Sequence, residues 1–427
     1  MGFNRRRFLA GTLGAGVLLA GVGAWLRPQD RGAPYSEYFR QLNRELKAHG
    51  PMRPVMLIDL DRLDHNIDVV KASVQRAGKQ LRLVEKSLPA PGLLNYIAQR
   101  AETWRLMSFH QPFLNHDAVQ FPQADILLGK PLPVRSAELF YTQHKGPFDP
   151  ARQLQWLLDT PERLEQYRAL AQALGIRLRV NLELDVGLHR GGIVDEASLD
   201  AMLRLIRAHP AQLEFAGFMG YDPFVGMGVP EIVATPQTLL ARVMAIYRAR
   251  VDFVRLRYPD LWRPGLTLNT AGSPSYRIHE QENLSTEVSV GTAMLKPSHY
   301  DLPSLSEHVP AAYIATPVLK RTGAVNIPAL DDTSRIFSWW DVNQRETFFI
   351  YGGNWMADLE APPGLQINDL YGRSSNQEMV NGSAAVGLGL EDQVFLRPTQ
   401  TESVLLQFGD LLAVRAGRIV ESWPVYS

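Results

Sequence analysis

Short apolar runs alternate with helical patterns from about residue 81 to residue 293. The runs are rich in aliphatic and aromatic residues, which favour strands, and the stretches between most of them repeat apolar residues every three or four positions. Residues 161–175 and 196–209 carry such helical repeats, each opened by an acidic or proline-containing first turn. The eight runs predicted to form strands are Leu81–Lys86, Trp104–Phe109, Ala124–Lys130, Gln153–Asp159, Arg177–Asp185, Leu213–Gly220, Leu266–Gly272 and Thr286–Ala293.

Eight strands alternating with helices over about 210 residues predict an α/β fold, a (β/α)₈ TIM barrel. An open, doubly wound sheet is the alternative, but it normally uses fewer strands. The glycine-rich phosphate-binding turn of that alternative is also missing near the first strand. We therefore expect a barrel domain over residues 61–297.

The pattern changes after Pro297 to short, β-branched, turn-bounded runs without helical periods of comparable length. We expect a second, β-rich C-terminal domain over residues 298–427, in which the polar stretch 374–383 forms a loop. Before the barrel, residues 27–60 are expected to hold a linker, an entry helix and a strand. That strand, at residues 55–60, is expected to join the sheet of the β-rich domain.

The N-terminus carries an export pattern. Arg5 and Arg6 precede Arg7, Phe8 and Leu9, and residues 8–26 form an uncharged run of 19 residues. A twin-arginine signal fits residues 1–26, because glycine and alanine leave the run only mildly apolar. A membrane anchor is the alternative, since about 20 apolar residues can span a bilayer. The pattern implies export to the periplasm by the twin-arginine machinery, with an uncleaved tether left open.

Composition narrows the function classes. Lys and Arg together number 44, as do Asp and Glu, so the formal charge is zero and the chain has no electrostatic footprint for nucleic acid. The absence of cysteine excludes disulfides, thiolate zinc sites and cysteine nucleophiles. A small-molecule ligand is therefore expected.

Barrel chemistry is usually located at the C-terminal ends of the strands, and Lys86 ends the first predicted strand. A partly desolvated lysine there has a lowered pKa, which suits Schiff-base formation with an aldehyde. The alternative is a surface lysine next to Glu85. Strand alternation directs the Glu85 side chain to the opposite face, so it is not automatically the partner of Lys86.

Two glycine-containing turns follow the seventh and eighth predicted strands. Gly272-Ser273 and Gly291-Thr292 offer backbone N–H groups and hydroxyls, and phosphate sites in barrels form commonly after these strands. Ordinary turns are the alternative at each position. Together, opposite a lysine on the first strand, they make a phosphate-bearing ligand a reasonable hypothesis.

At this point the sequence resembles the fold-type III pyridoxal-phosphate family, with an alanine-racemase-like N-terminal barrel and a β domain, and within it the D-threonine aldolase and D-serine dehydratase branch. The resemblance spans roughly residues 53–295 and extends weakly toward the C-terminus. The segments that carry it, in family order, are RPVMLIDLDRLDHNI, VEKSL, NLELDVGLHRGGI, FMGYD, NTAGSPS, EVSVGTAML and, more weakly, LRPTQTES. They are weak individually and specific in combination.

The resemblance implies pyridoxal 5′-phosphate as cofactor, held by Lys86 as a Schiff base. It implies that Arg190 lies near the cofactor's phenolic oxygen or the substrate carboxylate, and that Tyr221 lies by the pyridine nitrogen. The two turns would hold the phosphate through Gly272, Ser273, Gly291 and Thr292. The alternatives are a salt bridge from Arg190 to Asp185 and a core role for Tyr221.

The sequence also departs from this branch. The branch binds a divalent cation through a histidine and a second ligand two residues later, whereas this chain has Gln400 and Glu402 at those positions. Zinc would lack a nitrogen or sulfur ligand there, so we expect a lost or weakened metal site and assign no metal. The histidine that aldolases place after the sixth-strand tyrosine is also missing, and the sequence does not reveal a second catalytic base.

These features predict an exported enzyme that uses pyridoxal phosphate to act on a small amino acid. The family resemblance implies that this amino acid has the D configuration. An aldolase-type lyase is the first expectation and a racemase the second. A non-catalytic pyridoxal-phosphate-binding protein is the rival from another class, and a barrel that has lost its cofactor is a third. The resemblance also implies a homodimer.

The targeting interpretation can be tested by changing Arg5→Lys together with Arg6→Lys. We expect the protein to remain in the cytoplasm, because the twin-arginine route reads both arginines. Cell fractionation measures the distribution, with Arg7→Lys as the matched control. Normal export of the double variant would contradict the interpretation.

Overall fold

The computed structural model describes residues 27–228, 232–326, 338–368 and 370–426, so the predicted signal at residues 1–26 lies outside the described residues. The chain divides into two compact units. Residues 27–55 and Ile314–Leu396 form one unit, and residues 56–313 and 397–426 form the other. In the described part of the chain, no helix has the length and apolar character needed to cross a membrane.

Strands and helices have the following bounds. The strands are β1 Val55–Asp59, β2 Gln80–Val84, β3 Arg105–Ser108, β4 Asp125–Leu128, β5 Leu154–Leu158, β6 Leu178–Glu183, β7 Leu213–Gly220, β8 Thr267–Thr270, β9 Glu287–Val290, β10 Ala312–Thr322, β11 Glu346–Tyr351, β12 Ala357–Ala361, β13 Gln366–Ile367, β14 Gln377–Gly382, β15 Gln393–Pro398, β16 Asp410–Arg415 and β17 Arg418–Pro424. The helices of the described residues are α1 Glu37–His49, α2 Leu60–Arg76, α3 Pro91–Ala101, α4 Gln111–Gln120, α5 Val134–Gln143, α6 Pro150–Gln153, α7 Pro161–Leu174, α8 Glu196–Ala208, α9 Phe224–Met227, α10 Pro236–Arg257 and α11 Glu402–Leu405.

Strands β2 to β9 form a closed, all-parallel barrel in which each strand pairs with the next and β2 pairs with β9. The barrel and the accompanying β-rich unit confirm the predicted fold class. Each strand lies within its predicted run except β2, which begins one residue earlier, and most are shorter than predicted. The difference at the ends arises because the rim residues leave the strand pairing to form turns.

The predicted helices form where local signals are strongest. In α7, the Thr160 side chain accepts a hydrogen bond from the backbone N–H of Arg163, and Pro161 occupies the first turn. Its apolar face buries Leu164 and Tyr167. Local capping and periodicity thus fix this helix, and the same combination, with Asp195 as the cap, begins α8.

A buried ion cluster lies inside the barrel. Arg82 of β2 is inaccessible to solvent and contacts Glu287 of β9 at 2.9 Å between Nη2 and Oε2. Its guanidinium also donates to Asp125 of β4 at 2.6 Å and to the carbonyl oxygen of Leu106 at 2.9 Å. Asn269 of β8 donates to Glu287 at 2.8 Å. The cluster therefore joins five strands, β2, β3, β4, β8 and β9, across the barrel interior, with the ionic hydrogen bonds satisfied.

The C-terminal strands belong to the barrel unit. Strand β1 pairs in parallel with β16, which pairs antiparallel with β17. Tyr426 then hydrogen-bonds through its backbone N–H to the carbonyl oxygen of Pro89, at 3.0 Å. The barrel unit therefore consists of two separate stretches of sequence. The sequence analysis instead expected one domain boundary, after Pro297. The two differ because β16 pairs with β1, which brings the end of the chain back to the barrel unit.

The other unit is built on antiparallel pairing. Strand β10 pairs with β11 and β15, and β11 pairs with β14. The predicted loop at residues 374–383 is therefore wrong, because most of it forms β14. Its polar residues are buried and bonded: Asn381 donates to Thr347 at 3.0 Å, and Glu378 pairs with Arg373. Polar composition suggested a loop, but tertiary hydrogen bonds make these residues suitable for a strand.

We predict that Arg82→Met lowers the free energy of unfolding by about 3–5 kcal/mol, because Glu287 would lose its closest cation while remaining buried. Denaturant unfolding measures the effect. Arg135→Met is the control, since Arg135 forms an exposed pair with Glu138 and should change stability little. Equal effects of the two substitutions would contradict a structural role for the buried cluster.

Candidate active site

Lys86 lies just beyond β2, in a single 3₁₀ turn formed by Glu85–Ser87. The strand ends at Val84, so the prediction that Lys86 ends the strand is wrong by two residues. The side chain of Lys86 is 43% exposed, and its Nζ lies 3.0 Å from Oε1 of Glu402. Ser87 Oγ donates to the same oxygen at 3.1 Å. The turn therefore presents the amine at the rim, next to a carboxylate from the C-terminal segment.

Glu85 has the opposite environment. Its side chain is buried beside Asp117 and Ser108, and burial together with Asp117 raises its pKa well above the ordinary value. Tyr426 donates a hydrogen bond to Asp117 and stacks on Phe113. The side chain of Glu85 is therefore buried away from Lys86, and the alternative of a surface pairing between Lys86 and Glu85 is not what the structure shows.

A cavity of about 380 Å³ opens at this rim of the barrel. All the site residues expected from the sequence line it: Lys86, Arg190, Tyr221, Gly272, Ser273, Gly291 and Thr292. The C-terminal ends of β2, β6, β7, β8 and β9 thus converge on one space. Such a cavity is large enough for a small ligand and combines apolar walls with a few polar groups.

The two glycine turns approach their neighbours closely. A Cβ at Gly272 would collide with the ring of Tyr221, and one at Gly291 would lie 2.8 Å from both Cβ and the carbonyl oxygen of Val84. The turns are also joined, because Ser273 Oγ accepts hydrogen bonds from the N–H groups of Gly291 at 3.2 Å and Ala293 at 3.0 Å. Glycine is therefore needed at both positions for the backbone to line the cavity.

Backbone strain marks the same region. Ala271, immediately before the first glycine turn, has a φ of 65° and is buried. A left-handed conformation is unusual for alanine and persists only where the surroundings impose it, which is common at functional sites. The turn after β8 is thus held in a defined shape.

Arg190 and Tyr221 form a stacked pair, with the guanidinium carbon 4.9 Å from the ring centre. The alternative salt bridge from Arg190 to Asp185 is not what forms, because Asp185 instead contacts Nδ1 of His189 at 2.9 Å. Burial raises the pKa of Tyr221 above its ordinary value, so its hydroxyl stays protonated. The pair leaves a cation and a hydroxyl at the cavity wall.

The cavity residues that were not singled out from the sequence include two acidic side chains and a tyrosine: Asp159, Glu183 and Tyr300. Asp159 directly follows β5, so it stands at the C-terminal end of a predicted strand, where the sequence does carry a signal for a site residue. Burial and the neighbouring Asp159 raise the pKa of Glu183 to about 7, although Arg190 opposes the shift. Tyr300 follows the barrel in a 3₁₀ turn, where strand periodicity offers no signal.

The C-terminal segment carries the two positions, Gln400 and Glu402, at which the family resemblance implies a metal site. Gln400 and Glu402 line an adjoining cavity of about 400 Å³ together with His299 and Tyr300. Within the described ranges, no group of three or more His, Cys, Asp or Glu side chains is arranged to hold a metal ion. Glu402 instead hydrogen-bonds with Lys86 and Ser87.

Residues 58–298 match the family described as alanine racemase, N-terminal domain. Solved structures that share the fold include the following three. D-threonine aldolase from Filomicrobium marinum is 15% identical, with a TM-score of 0.68 over 88% of this chain and 97% of that one. D-threo-3-hydroxyaspartate dehydratase from Delftia sp. HT23 is 17% identical, with a TM-score of 0.66 over 87% and 97% of the two chains. Alanine racemase from Bacillus anthracis is 14% identical, with a TM-score of 0.65 over 87% and 97%. A search of curated proteins finds no match.

Members of this family use pyridoxal 5′-phosphate, and the residues present fit that group. Lys86 supplies a primary amine inside the cavity, and the turns at Gly272 and Gly291 bring backbone groups that can bind an anion to the wall of the same cavity. Neighbouring protein atoms leave no room for a Cβ at either glycine, so the backbone can take this position only because both residues lack a side chain. Lys86 would hold the aldehyde carbon, and the two turns would hold the phosphate. Because the family match spans more than half of the chain, the protein belongs to the alanine racemase N-terminal domain family of fold-type III pyridoxal-phosphate enzymes.

Proposed function

We propose that the protein is an enzyme that uses pyridoxal 5′-phosphate to act on a small D-amino acid, and that it is an aldolase-type lyase. The observation that carries the proposal is the pairing of Lys86 with Glu402 in a cavity that also contains the two glycine turns. An amine, an adjacent proton acceptor and an anion cradle are the parts that such chemistry requires.

The chain's own residues have distinct roles in this proposal. Arg190 lines the cavity and supplies a fixed cation for the substrate carboxylate. Lys86 and Glu402 are within hydrogen-bond distance and can exchange a proton between Nζ and Oε1. The neutral Tyr221 stabilises the Arg190 cation, whose guanidinium carbon lies over the tyrosine ring. When bound, pyridoxal phosphate supplies the ring that accepts electrons from a bond broken at the α-carbon.

A lyase needs a base for the substituent on the β-carbon, and Glu402 supports this assignment. Its carboxylate lines both adjoining cavities, so it lies beside Lys86 and also faces the space next to His299 and Gln400. A β-hydroxyl in the second cavity would be within reach of a proton acceptor without a metal. The names of two structural neighbours, an aldolase and a hydroxyaspartate dehydratase, support β-hydroxy amino acids as the substrate class.

Racemisation is the second candidate. Tyr300 lines the same cavity as Lys86, and burial raises the pKa of its hydroxyl. Two proton carriers at one cavity are what removal and return of an α-proton require. The alanine racemase among the neighbours supports this candidate as well.

The export proposal rests on sequence alone. The arginine pair at Arg5 and Arg6 and the uncharged run that follows support delivery to the periplasm through the twin-arginine machinery. We also propose a homodimer, which rests on the family resemblance alone. The molar mass in solution tests it.

We predict that Lys86→Ala abolishes covalent attachment of pyridoxal phosphate, because the proposed Schiff base forms on Nζ of this side chain. The purified protein should show a Schiff-base absorption band that disappears with borohydride and leaves a pyridoxyl adduct on Lys86 by mass spectrometry. Lys130→Ala is the matched control, since Lys130 lines the same cavity. An unchanged spectrum in Lys86→Ala, or an adduct on Lys130, would contradict the lysine assignment.

The reaction itself is decided by product analysis with a panel of D- and L-β-hydroxy amino acids and with alanine. Aldehyde release identifies the lyase, and inversion of the α-carbon without cleavage identifies the racemase. A Lys86 adduct with neither product would indicate a protein that binds pyridoxal phosphate without catalysis.

We predict little activation by added divalent cations, and a loss of about 100-fold in kcat for Glu402→Gln, which keeps the side-chain shape but removes the proton acceptor. Activity with and without a chelator measures the first effect. Glu421→Gln, on the exposed part of β17, is the control. Strong activation by divalent cations that disappears in Glu402→Ala would show instead that Glu402 is a metal ligand.

A further inference from the structure

A buried polar network lies behind the cavity, at residues to which the proposed chemistry gives no role. Asp222 follows Tyr221 directly and is inaccessible to solvent. One of its carboxyl oxygens accepts a hydrogen bond from Ser275 Oγ at 2.7 Å, and the other lies 2.6 Å from Nε2 of His279. His279 and Ser275 are inaccessible as well. Asp222 therefore joins the segment after β7 to the segment after β8.

The network reaches the first glycine turn. Ser275 Oγ accepts a hydrogen bond from the N–H of Gly272 at 3.2 Å, and Ser275 in turn donates to Asp222. The N–H of Ser275 also bonds to the carbonyl oxygen of Gly272 at 3.0 Å. The position of Gly272 is thus coupled through one hydroxyl to the residue that follows Tyr221. Asp222, Ser275 and His279 do not line the cavity, so their effect on a ligand is indirect.

The other end of the network is anchored by further charges. His279 Nδ1 lies 3.4 Å from Glu282 and 3.3 Å from Thr270 Oγ1, and Glu282 forms an ion pair with the buried Lys79. Burial lowers the pKa of His279, but Asp222 and Glu282 outweigh burial and raise that pKa to about 9. His279 is therefore a cation at neutral pH, held between two acidic side chains.

A buried charged network is not needed for the stability of a protein interior. Charged groups lose hydration when buried, and apolar residues of similar volume often give equal or greater stability. A fully bonded polar network does fix one arrangement of the segments that it joins. Here those segments are the Tyr221 segment and the Gly272-Ser273 turn, which face each other so closely that a Cβ at Gly272 would strike the Tyr221 ring.

We propose that Asp222, Ser275 and His279 are positioning residues that hold the Gly272-Ser273 turn in the shape that binds the cofactor phosphate. The inference rests on the proposed function, because it takes this turn as part of the phosphate site. The Gly272 N–H donates to Ser275 Oγ, and Ser275 Oγ donates to Asp222. These two hydrogen bonds set the direction of the turn, and the contact with His279 fixes Asp222. The network therefore determines affinity for the phosphate group and leaves the amine of Lys86 unaffected.

The test compares two ligands that differ only in the phosphate. The protein is freed of cofactor and titrated with pyridoxal 5′-phosphate and with pyridoxal, and the dissociation constant of each is read from the absorption band. For Ser275→Ala and His279→Gln we expect affinity for pyridoxal 5′-phosphate to fall about tenfold or more. Affinity for pyridoxal should change less than about twofold, so the preference for the phosphorylated ligand should fall by the same factor.

One control and the milder of the two test variants separate positioning from general destabilisation. Tyr167→Phe removes a buried hydrogen bond to Leu132 elsewhere in the barrel unit and should lower thermal stability without changing the ligand preference. Ser275→Ala removes one oxygen only, so it remains informative if His279→Gln does not fold. An unchanged preference in Ser275→Ala, or an equal loss of affinity for both ligands, would overturn the positioning role.

The wild-type protein distinguishes this inference from the proposed function. If wild type forms a Schiff-base band and prefers the phosphorylated ligand, while the variants keep that preference, the network inference is wrong and the function stands. If wild type binds neither ligand, the proposed function is wrong and the inference is overturned with it.

Discussion

Closure of the barrel between its first and last strands is the constraint on which the rest of the site depends. Strands β2 and β9 pair with Leu83 opposite Val290, so the turn that carries Lys86 begins directly beside Gly291. The backbones are so close that a side chain at Gly291 would meet Val84. Thr292 Oγ1 then donates to Ser87 Oγ at 2.9 Å. One strand pairing thus brings the amine and the candidate phosphate turn into the same cavity.

Charged residues have different roles in the interior of the barrel and at its rim. In the interior, Arg82 and Glu287 are both excluded from water and satisfy each other, which joins the strands that close the barrel. At the rim, one 3₁₀ turn carries two adjacent residues in different environments: Glu85 is buried, which raises its pKa, and the amine of Lys86 is half-exposed. This arrangement agrees with the general division of such barrels into a stabilising face and a reactive face. The ionic bonds of the interior hold the frame, and the rim keeps its amine available.

Glu402 connects the C-terminal segment to the candidate site. Where the resemblance implies a histidine ligand, this segment has an amide and a carboxylate, and the carboxylate hydrogen-bonds with both Lys86 and Ser87. We propose that a proton acceptor has taken the position of a metal ligand, which would retain β-substituent chemistry without a cation. The buried Asp222 and His279 pair is joined to another part of the wall of the same cavity through Ser275 and Gly272.

The sequence alone determined the order of strands and helices and the barrel fold, because local periodicity specifies them. It also identified the lysine and the glycine turns, because these residues stand at the ends of predicted strands and glycine has special backbone freedom. Tertiary structure alone decided the features that join distant segments. Examples are the hydrogen bond between Lys86 and Glu402, the burial of Glu85 against Asp117, and the contact of Asp222 with His279. The same reason explains β14, whose polar residues became strand residues only when partners such as Thr347 satisfied them. Local patterns specify which face of an element is apolar, but only closure of the barrel and return of the C-terminal strands determine which side chains meet.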